Sequence, residues 1–267
     1  MNSAEDVPEI LTETIDEGTI AVITLNRPAR HNALTLAMWR QVASSVREFG
    51  AQRVTRVILI RGAGERAFAS GADLHEMATY RQTPEGAVDY HVAVEEAFAA
   101  LTAVEQPTIA MIHGYCIGGG CELAVACDLR IADERSHFGI PAAKLGIVLG
   151  VDELRRLANL VGLAGAKEIL FTGRQFDADE ALRMGLIDRV VPADDLESTV
   201  LELSRQIVAN ASIAVGAAKL LLNAIGREDA ADEIAALQRE FVERAGSSGE
   251  SRERIGEFVS RRPRPST

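Results

Sequence analysis

The first half of the chain alternates between short apolar runs and longer segments with helical spacing, and this alternation limits the folds it can adopt. Residues 20–25 (IAVITL) and 57–60 (VILI) have the length and β-branched content of buried strands, and residues 108–112 form a similar run. Residues 35–49 and 86–101 have the apolar spacing of helices. Strands that alternate with helices predict an α/β fold with a mostly parallel sheet.

The last third of the chain has a different pattern, because apolar residues recur at spacings of three and four without strand-like runs. This spacing predicts helices over residues 194–209, 213–225 and 228–245. We therefore predict two regions, an α/β core over residues 1–200 and a helical carboxyl-terminal region over residues 201–267.

Composition and charge argue against several classes of function. The 28 Lys and Arg face 39 Asp and Glu, which gives a formal net charge of −11 at pH 7. Nucleic-acid binding needs concentrated positive charge, although a few arginines can still hold one small anionic ligand. No apolar run approaches the ~18 residues of a membrane span, and the amino terminus lacks the pattern of a secretory signal. We expect a cytoplasmic protein that binds neither nucleic acid nor membrane.

The three cysteines do not indicate a metal site. Cys116, Cys121 and Cys127 lack CxxC spacing, and no histidine follows them at a zinc-finger distance. We expect neither a bound metal nor a disulfide in a cytoplasmic protein of this kind.

Two loops that join strands to helices contain the residues best suited to chemistry. They are AFASGADL at 67–74 and HGYCIGGGCE at 113–122. Ser70 lacks the flanking glycines of a hydrolase elbow, and the second loop fits neither GxGxxG nor a nucleotide P-loop. Neighbouring parallel strands end at one edge of a sheet, so an N–H group from each loop could bind one oxygen, with Glu122 beside it. For the second loop alone, a closely packed glycine turn is an equally good interpretation.

The two loops together resemble the crotonase superfamily, also called the enoyl-CoA hydratase/isomerase family. LNRPARHNAL at 25–34, FTGRQFDADEALRMGLIDRVV at 171–191 and ERIGEFVSRR at 253–262 agree with that family in order and spacing. The resemblance implies a spiral of ββα turns with a helical carboxyl-terminal trimerisation region, and homotrimers that often pair into hexamers. It also implies an acyl-CoA thioester as substrate, without a further cofactor because coenzyme A is part of that substrate.

The same resemblance assigns roles to individual residues. The backbone N–H groups of Ala72 and Gly119 would hold the thioester oxygen, and Glu122 would be the acid–base residue. The residues that it predicts to bind the substrate are Arg66, Ala69, Asp73, Leu74 and Phe258. Two of these have simpler interpretations, since Arg66 is equally consistent with a solvated surface residue and Phe258 with a helix–helix contact.

One position departs from the family pattern. Hydratases of this family use a second glutamate directly after a proline, whereas Pro141 is followed here by Ala142. A missing acid or base typically costs ~10²–10⁴-fold in rate. Asp152 and Glu153 could replace it, but carboxylates are common at helix starts, and we expect these two to cap a solvent-facing helix. Dienoyl-CoA isomerases of the family have an aspartate nearby, at the position that Gly150 occupies in this chain, and the glycine argues against that activity here.

The sequence therefore leaves three functions open. The leading hypothesis is an enoyl-CoA hydratase or isomerase of fatty acid metabolism, with Glu122 as its acid–base residue. Another enolate reaction of the family, such as decarboxylation or C–C cleavage, is the second. The third is a non-catalytic acyl-CoA-binding protein, which Ala142 favours and Glu122 argues against.

Overall fold

The computed structural model describes residues 7–80, 82–227, 230–249 and 253–254. The strands in these ranges are β1 (Ile10–Ile15), β2 (Ile20–Leu25), β3 (Val57–Gly62), β4 (Ala67–Ala69), β5 (Thr108–Ile112), β6 (Tyr115–Ile117), β7 (Leu129–Asp133), β8 (His137–Gly139), β9 (Phe176–Asp177) and β10 (Arg189–Val191). The helices are α1 (Leu36–Ala51), α2 (Leu74–Tyr80), α3 (Pro84–Ala103), α4 (Gly119–Ala126), α5 (Ala142–Leu145), α6 (Val151–Thr172), α7 (Ala178–Met184), α8 (Leu196–Val208), α9 (Ser212–Ile225) and α10 (Ala231–Ser248).

The strands form two sheets, and the chain passes repeatedly from one to the other. The larger sheet has the order β1-β2-β3-β5-β7-β10 and is parallel except for the β1–β2 pair. The smaller sheet has the order β4-β6-β8-β9 and is parallel except for the β8–β9 pair. Each of β3, β5 and β7 is followed by a strand of the smaller sheet and then by a helix. This repetition is the predicted spiral of ββα turns, which the structure confirms.

The larger sheet is buried on both faces, as expected for a parallel sheet covered by helices. Along β2 the side chains alternate, so that Ala21, Ile23 and Leu25 pack with α1, α3 and the smaller sheet. Ile20 and Val22 face the other side, where they pack with α8. The run IAVITL is apolar except for Thr24 because both faces of the larger sheet are buried at β2.

The three helices predicted for the last third of the chain are α8, α9 and α10, with bounds that differ by at most three residues. The structure places α8 against β3, β5 and β7 of the larger sheet, whereas α9 and α10 pack mainly on each other. The division at residue 200 stays a prediction, and it falls inside α8. Among the described residues no single helix is long and apolar enough to span a membrane; 193–208 and 212–225 pass only as a pair bent by 107°.

A buried lysine fastens α9 to the core. The side chain of Lys219 is 4% exposed, and its Nζ donates to the carbonyl oxygens of Leu101 and Gln106, each at 2.8 Å. It also pairs with the Asp128 carboxylate at 2.8 Å, which in turn accepts from the backbone N–H and hydroxyl of Thr108. The ammonium group thus binds two backbone carbonyls and neutralises the charge of one carboxylate.

We expect Lys219→Met to lower the free energy of unfolding by about 3 kcal/mol, because it leaves the partly buried Asp128 charge unpaired. The exposed Lys167→Met is the matched control and should change stability by less than about 0.5 kcal/mol. Urea denaturation of both variants measures the difference. Equal midpoints for the two variants would show that the buried contact contributes nothing to stability.

Candidate active site

The two loops leave neighbouring strands of the smaller sheet, as the sequence predicted. Strand β4 pairs in parallel with β6, so the loops at 67–74 and 113–122 emerge side by side. Gly71 has a φ of 102° and Gly118 a φ of 52°, a region that side chains rarely adopt. A Cβ on Gly71 would lie 2.9 Å from the carbonyl oxygen of Ile117. The glycines are therefore required by backbone conformation and by the close crossing of the loops.

The backbone N–H groups of Ala72 and Gly119 lie beside each other at this crossing. A Cβ built on Gly119 would be 3.6 Å from the Ala72 nitrogen. Gly119 is the first residue of α4, so its N–H has no partner within the helix. The residues on either side of Ala72 both bond with Leu34: the Gly71 carbonyl accepts from the Leu34 N–H, and the Asp73 N–H donates to the Leu34 carbonyl. The Ala72 N–H takes part in neither bond. Neither N–H donates a hydrogen bond within the described part of the chain, so both are free to bind one oxyanion.

Glu122 lies in the first turn of α4, one turn from the free N–H groups. Its N–H donates to the Gly118 carbonyl at 2.9 Å, which fixes the start of the helix. The side chain faces a small cavity, and its carboxyl accepts no hydrogen bond from the described residues. Burial, with a smaller contribution from the charge of Glu153, raises the pKa of Glu122 to about 8. At neutral pH its carboxyl is therefore mostly protonated.

The cavity beside Glu122 has a volume of about 10 Å³, close to the space that one water needs. The residues that line it are Glu122, Val125, Ile140, Leu149, Glu153, Arg156 and Leu157. Two carboxyl groups thus face one small and otherwise largely apolar space. A pair of this kind can bind a water molecule and move protons to and from it.

The prediction that Asp152 and Glu153 cap a solvent-facing helix is confirmed only in part, because Asp152 faces solvent without capping a backbone N–H among the described residues, whereas Glu153 caps the helix but is buried. Asp152 is exposed and pairs with Arg155 at 2.7 Å. Glu153 does cap the helix, because its Oε2 accepts from the Gly150 N–H at 2.5 Å, yet it is only 7% exposed. The reason is helical spacing, since Glu153 lies one turn before the buried Leu157 and shares its face.

Several charged groups surround Glu153. Burial raises the pKa of its carboxyl; the hydrogen bond from Gly150 opposes this rise, and the charge of Glu95 adds to it. His91 and Arg156 also favour the ionised form, with smaller effects. The Glu95 Oε1 and the Arg156 Nη2 are buried without hydrogen-bond partners among the described residues. Sequence reasoning missed both residues, because nothing in the local pattern shows that α3 and α6 meet here.

The structure gives the predicted substrate-binding residues of the first loop different environments. Ala69 is fully buried, and its carbonyl lies against Gly120, so its side chain is not available to a ligand. The Asp73 carboxylate accepts from Arg27 at 2.9 Å and from the backbone N–H groups that begin α2. Desolvation alone would raise the pKa of Asp73, but these bonds together hold it below its usual value. Leu74 is 51% exposed and is available for contact.

The two remaining predicted residues lie at the periphery. Arg66 is exposed at the rim of a surface groove that Tyr115, Arg135 and His137 also line. Phe258 lies outside the described residues. Substrate contacts of all five residues stay predictions.

An aromatic residue that the sequence did not single out supports the oxyanion site. Trp39 is buried, and its Cζ2 would lie 3.0 Å from a Cβ placed on Gly119. Its Nε1 donates to the Tyr90 hydroxyl at 3.2 Å, and that hydroxyl donates to the Leu34 carbonyl. The indole therefore fills the space beneath Gly119 and leaves no room for a side chain there.

A spiral fold with adjacent N–H donors beside a half-buried glutamate agrees with the comparisons to known proteins. Residues 16–265 match the family model described as enoyl-CoA hydratase/isomerase. The chain is 35% identical to the short-chain-enoyl-CoA hydratase of Clostridium acetobutylicum, over 92% of this chain and 93% of that one. It is 36% identical to the putative enoyl-CoA hydratase/isomerase YngF of Bacillus subtilis, over 93% and 95%. A crystal structure of an enoyl-CoA hydratase/carnithine racemase from Magnetospirillum magneticum superposes with a TM-score of 0.87 at 35% identity, covering 98% and 96%.

These similarities extend over nearly the whole chain. The protein belongs to the enoyl-CoA hydratase/isomerase family, the crotonase superfamily that the two loops resemble.

The raised pKa of Glu122 predicts how stability changes with pH. Above its ordinary pKa of 4.5 the carboxyl ionises in the unfolded chain but stays protonated in the folded protein up to about pH 8. The folded protein therefore loses stability as pH rises from about 4.5 to 8, and Glu122→Gln removes that loss. We expect the gain from this substitution to be about 3 kcal/mol larger at pH 8 than at pH 5.

Urea denaturation at both pH values and one protein concentration measures the gain. An equal effect of Glu122→Gln at pH 5 and pH 8 would mean that the carboxyl is not held neutral in the folded protein.

Proposed function

We propose that the protein acts on an enoyl-CoA thioester, holds its carbonyl oxygen on the N–H groups of Ala72 and Gly119, and transfers a proton at the α-carbon with Glu122. The observation that carries the proposal is the pair of N–H groups, without partners among the described residues, beside the half-buried carboxyl of Glu122. Family membership independently supports hydratase or isomerase chemistry.

The oxyanion site accounts for the largest part of the chemistry. When a nucleophile adds to the β-carbon, or a base removes an α-proton, negative charge accumulates on the thioester oxygen. Two fixed N–H donors stabilise that charge more than they stabilise the neutral carbonyl, and one such donor is typically worth ~10²–10³-fold in rate. Both donors are backbone groups held by the loop crossing, so they need no reorganisation during the reaction.

Glu122 is suited to the proton transfer because it is close to the oxyanion site and poorly solvated. A pKa of about 8 makes it a proton donor at neutral pH and a base after it has given up its proton. It can therefore add a proton to the α-carbon in hydration, or take one from a carbon in isomerisation. Its activity as a donor falls as pH rises through about 8.

The proposal also covers the surroundings of the reaction. We propose that Leu74 and Arg66 contact the coenzyme, which the exposure of Leu74 and the position of Arg66 at the rim of its groove support. Phe258 is a further candidate. Coenzyme A enters as part of the substrate, so no separate cofactor is invoked. We place the enzyme in the cytoplasm and in fatty acid metabolism.

A homotrimer, alone or paired into a hexamer, is the proposed assembly. The carboxyl-terminal helices expose large apolar side chains, including Leu222 at 67%, Ile225 at 63% and Val242 at 66%. Such a surface favours association with other copies of the chain.

We expect light scattering at micromolar concentration to give three or six times the chain mass of 28.7 kDa, about 86 or 172 kDa. The physical reason is the apolar surface on α9 and α10. A monomer at that concentration would contradict the proposed assembly and would leave those side chains in contact with water.

Glu122→Gln should reduce turnover of the active enoyl-CoA by at least about 100-fold, because an amide cannot exchange the proton. Thioester binding should change little, since the N–H donors are backbone groups. Exchange of the α-protons of butyryl-CoA with D₂O, followed by mass spectrometry, measures the same step without water addition. Glu96→Gln, on an exposed carboxylate of α3, is the control and should behave as the unmodified protein.

Near-normal exchange by Glu122→Gln would show that another group transfers the proton. An unmodified protein that binds the thioester but neither exchanges nor converts it would be a binding protein and not an enzyme.

A further inference from the structure

We propose that Glu153 is the second catalytic carboxylate, the one that activates water, and that the protein is for this reason a hydratase. This inference rests on the proposed function of Glu122 and the oxyanion site. In this proposal Glu153 takes the role of the second glutamate of the family pattern, which the chain lacks because Pro141 is followed by Ala142.

The two carboxyl groups reach one cavity from different helices. Glu122 comes from α4 and Glu153 from α6, and both line the space that fits about one water. Ile140 lines the same cavity, two residues before Ala142, whereas Ala142 is buried in α5 and does not line it. The position at which the family pattern has its second glutamate is therefore two residues from Ile140, which lines the same cavity as Glu153.

The side chain of Glu153 is held by one oxygen and leaves the other for a ligand. Its Oε2 accepts from the Gly150 N–H, which fixes the carboxylate relative to the start of α6. Its Oε1 accepts no hydrogen bond from the described residues. This oxygen is therefore the one that can accept a proton from water in the cavity.

A structural role alone does not account for this carboxylate. A helix cap needs only a polar side chain at the helix start, and it works equally well facing solvent. Here the cap is 7% exposed and faces a second carboxyl, and no Lys or Arg of the described residues lies within ion-pair distance of it. Desolvation and like charge both oppose such an arrangement, and unfavourable pairs of this kind concentrate at functional sites.

The two carboxyl groups differ in what stabilises their charge. Burial and the charge of Glu95 raise the pKa of Glu153, whereas the hydrogen bond from Gly150 and the charges of His91 and Arg156 favour its carboxylate form. Glu122 has no such hydrogen bond or cation among the described residues, and burial raises its pKa to about 8, so that it keeps its proton at neutral pH. Two coupled carboxyl groups that hold one proton between them supply both an acid and a base.

The reaction follows from these two states. The Glu153 carboxylate accepts a proton from water while the water oxygen forms a bond to the β-carbon. The electrons of the C=C π bond move through the α-carbon to the thioester oxygen, which the Ala72 and Gly119 N–H groups stabilise. Protonated Glu122 then gives its proton to the α-carbon. The product has gained H and OH, and transfer of one proton from Glu153 to Glu122 restores the starting state.

The decisive variant is Glu153→Gln, because glutamine keeps the length and can still accept from the Gly150 N–H. We expect hydration of crotonyl-CoA to fall by ~10²–10⁴-fold in kcat with KM little changed. Exchange of butyryl-CoA α-protons with D₂O needs only Glu122 and the N–H donors, and should stay within a few-fold of the unmodified rate. Asp152→Asn is the matched control on the neighbouring exposed carboxylate and should alter neither rate.

A second measurement needs no variant. The kcat/KM for hydration by the unmodified protein should rise on the acid side as Glu153 ionises and fall on the alkaline side through about pH 8 as Glu122 loses its proton. A profile with only the alkaline limb would overturn the role of Glu153. This pH profile tests the inference even if Glu153→Gln does not fold.

The outcomes separate this inference from the proposed function. Normal hydration by Glu153→Gln would overturn the role of Glu153 and leave Glu122 untouched. An unmodified protein that exchanges α-protons but does not hydrate crotonyl-CoA would also overturn it, and would favour an isomerase with one carboxylate. Absence of both activities in a protein that binds the thioester would overturn the proposed function and, with it, this inference.

Discussion

The close crossing of two backbone loops is the constraint on which the active site depends. Strands β4 and β6 end side by side, and the loops that follow them approach until a Cβ on Gly71 would contact the Ile117 carbonyl. Gly120 is equally constrained, because a side chain there would collide with the Ala69 carbonyl. This crossing brings the N–H groups of Ala72 and Gly119 side by side, and the start of α4 adds the positive end of a helix dipole. Under the proposed function these two main-chain donors form the anion site, which leaves the side chains free to determine the reaction.

The carboxyl pair is the counterpart of that anion site. A fold gains stability by burying apolar groups, whereas Glu122 and Glu153 lose hydration without gaining an ion pair within the described part of the chain. The core supplies enough apolar burial to tolerate this loss, since the larger sheet is covered on both faces. Poor solvation also keeps one proton on Glu122 at a pH where an exposed glutamate is ionised, and the proposed reaction uses that proton.

The sequence predicted the elements well because local spacing determines them. Strand runs such as IAVITL, the three carboxyl-terminal helices and the loops with Glu122 were all evident from patterns shorter than about 20 residues. What it could not predict was which side of a helix start faces the interior. Asp152 and Glu153 are adjacent and chemically alike, yet one is solvated and the other lines the cavity. Asp73 shows the same limit, because its bond to Arg27 joins residues far apart in the chain.

The position of a catalytic group in space is therefore a stricter requirement than its position in the sequence. Hydration needs two groups: a base that activates the water attacking the β-carbon, and a donor that gives a proton to the α-carbon. The cavity next to Glu122 can receive such a base from the segment after β8, which leads to Ala142, or from the first turn of α6, which carries Glu153. A carboxylate on α6 has one advantage: the cap that it forms with Gly150 holds it in place as part of the helix itself. The loss of a glutamate at one position of the family pattern is then compatible with an intact pair of acid and base, provided that the second carboxylate reaches the same water.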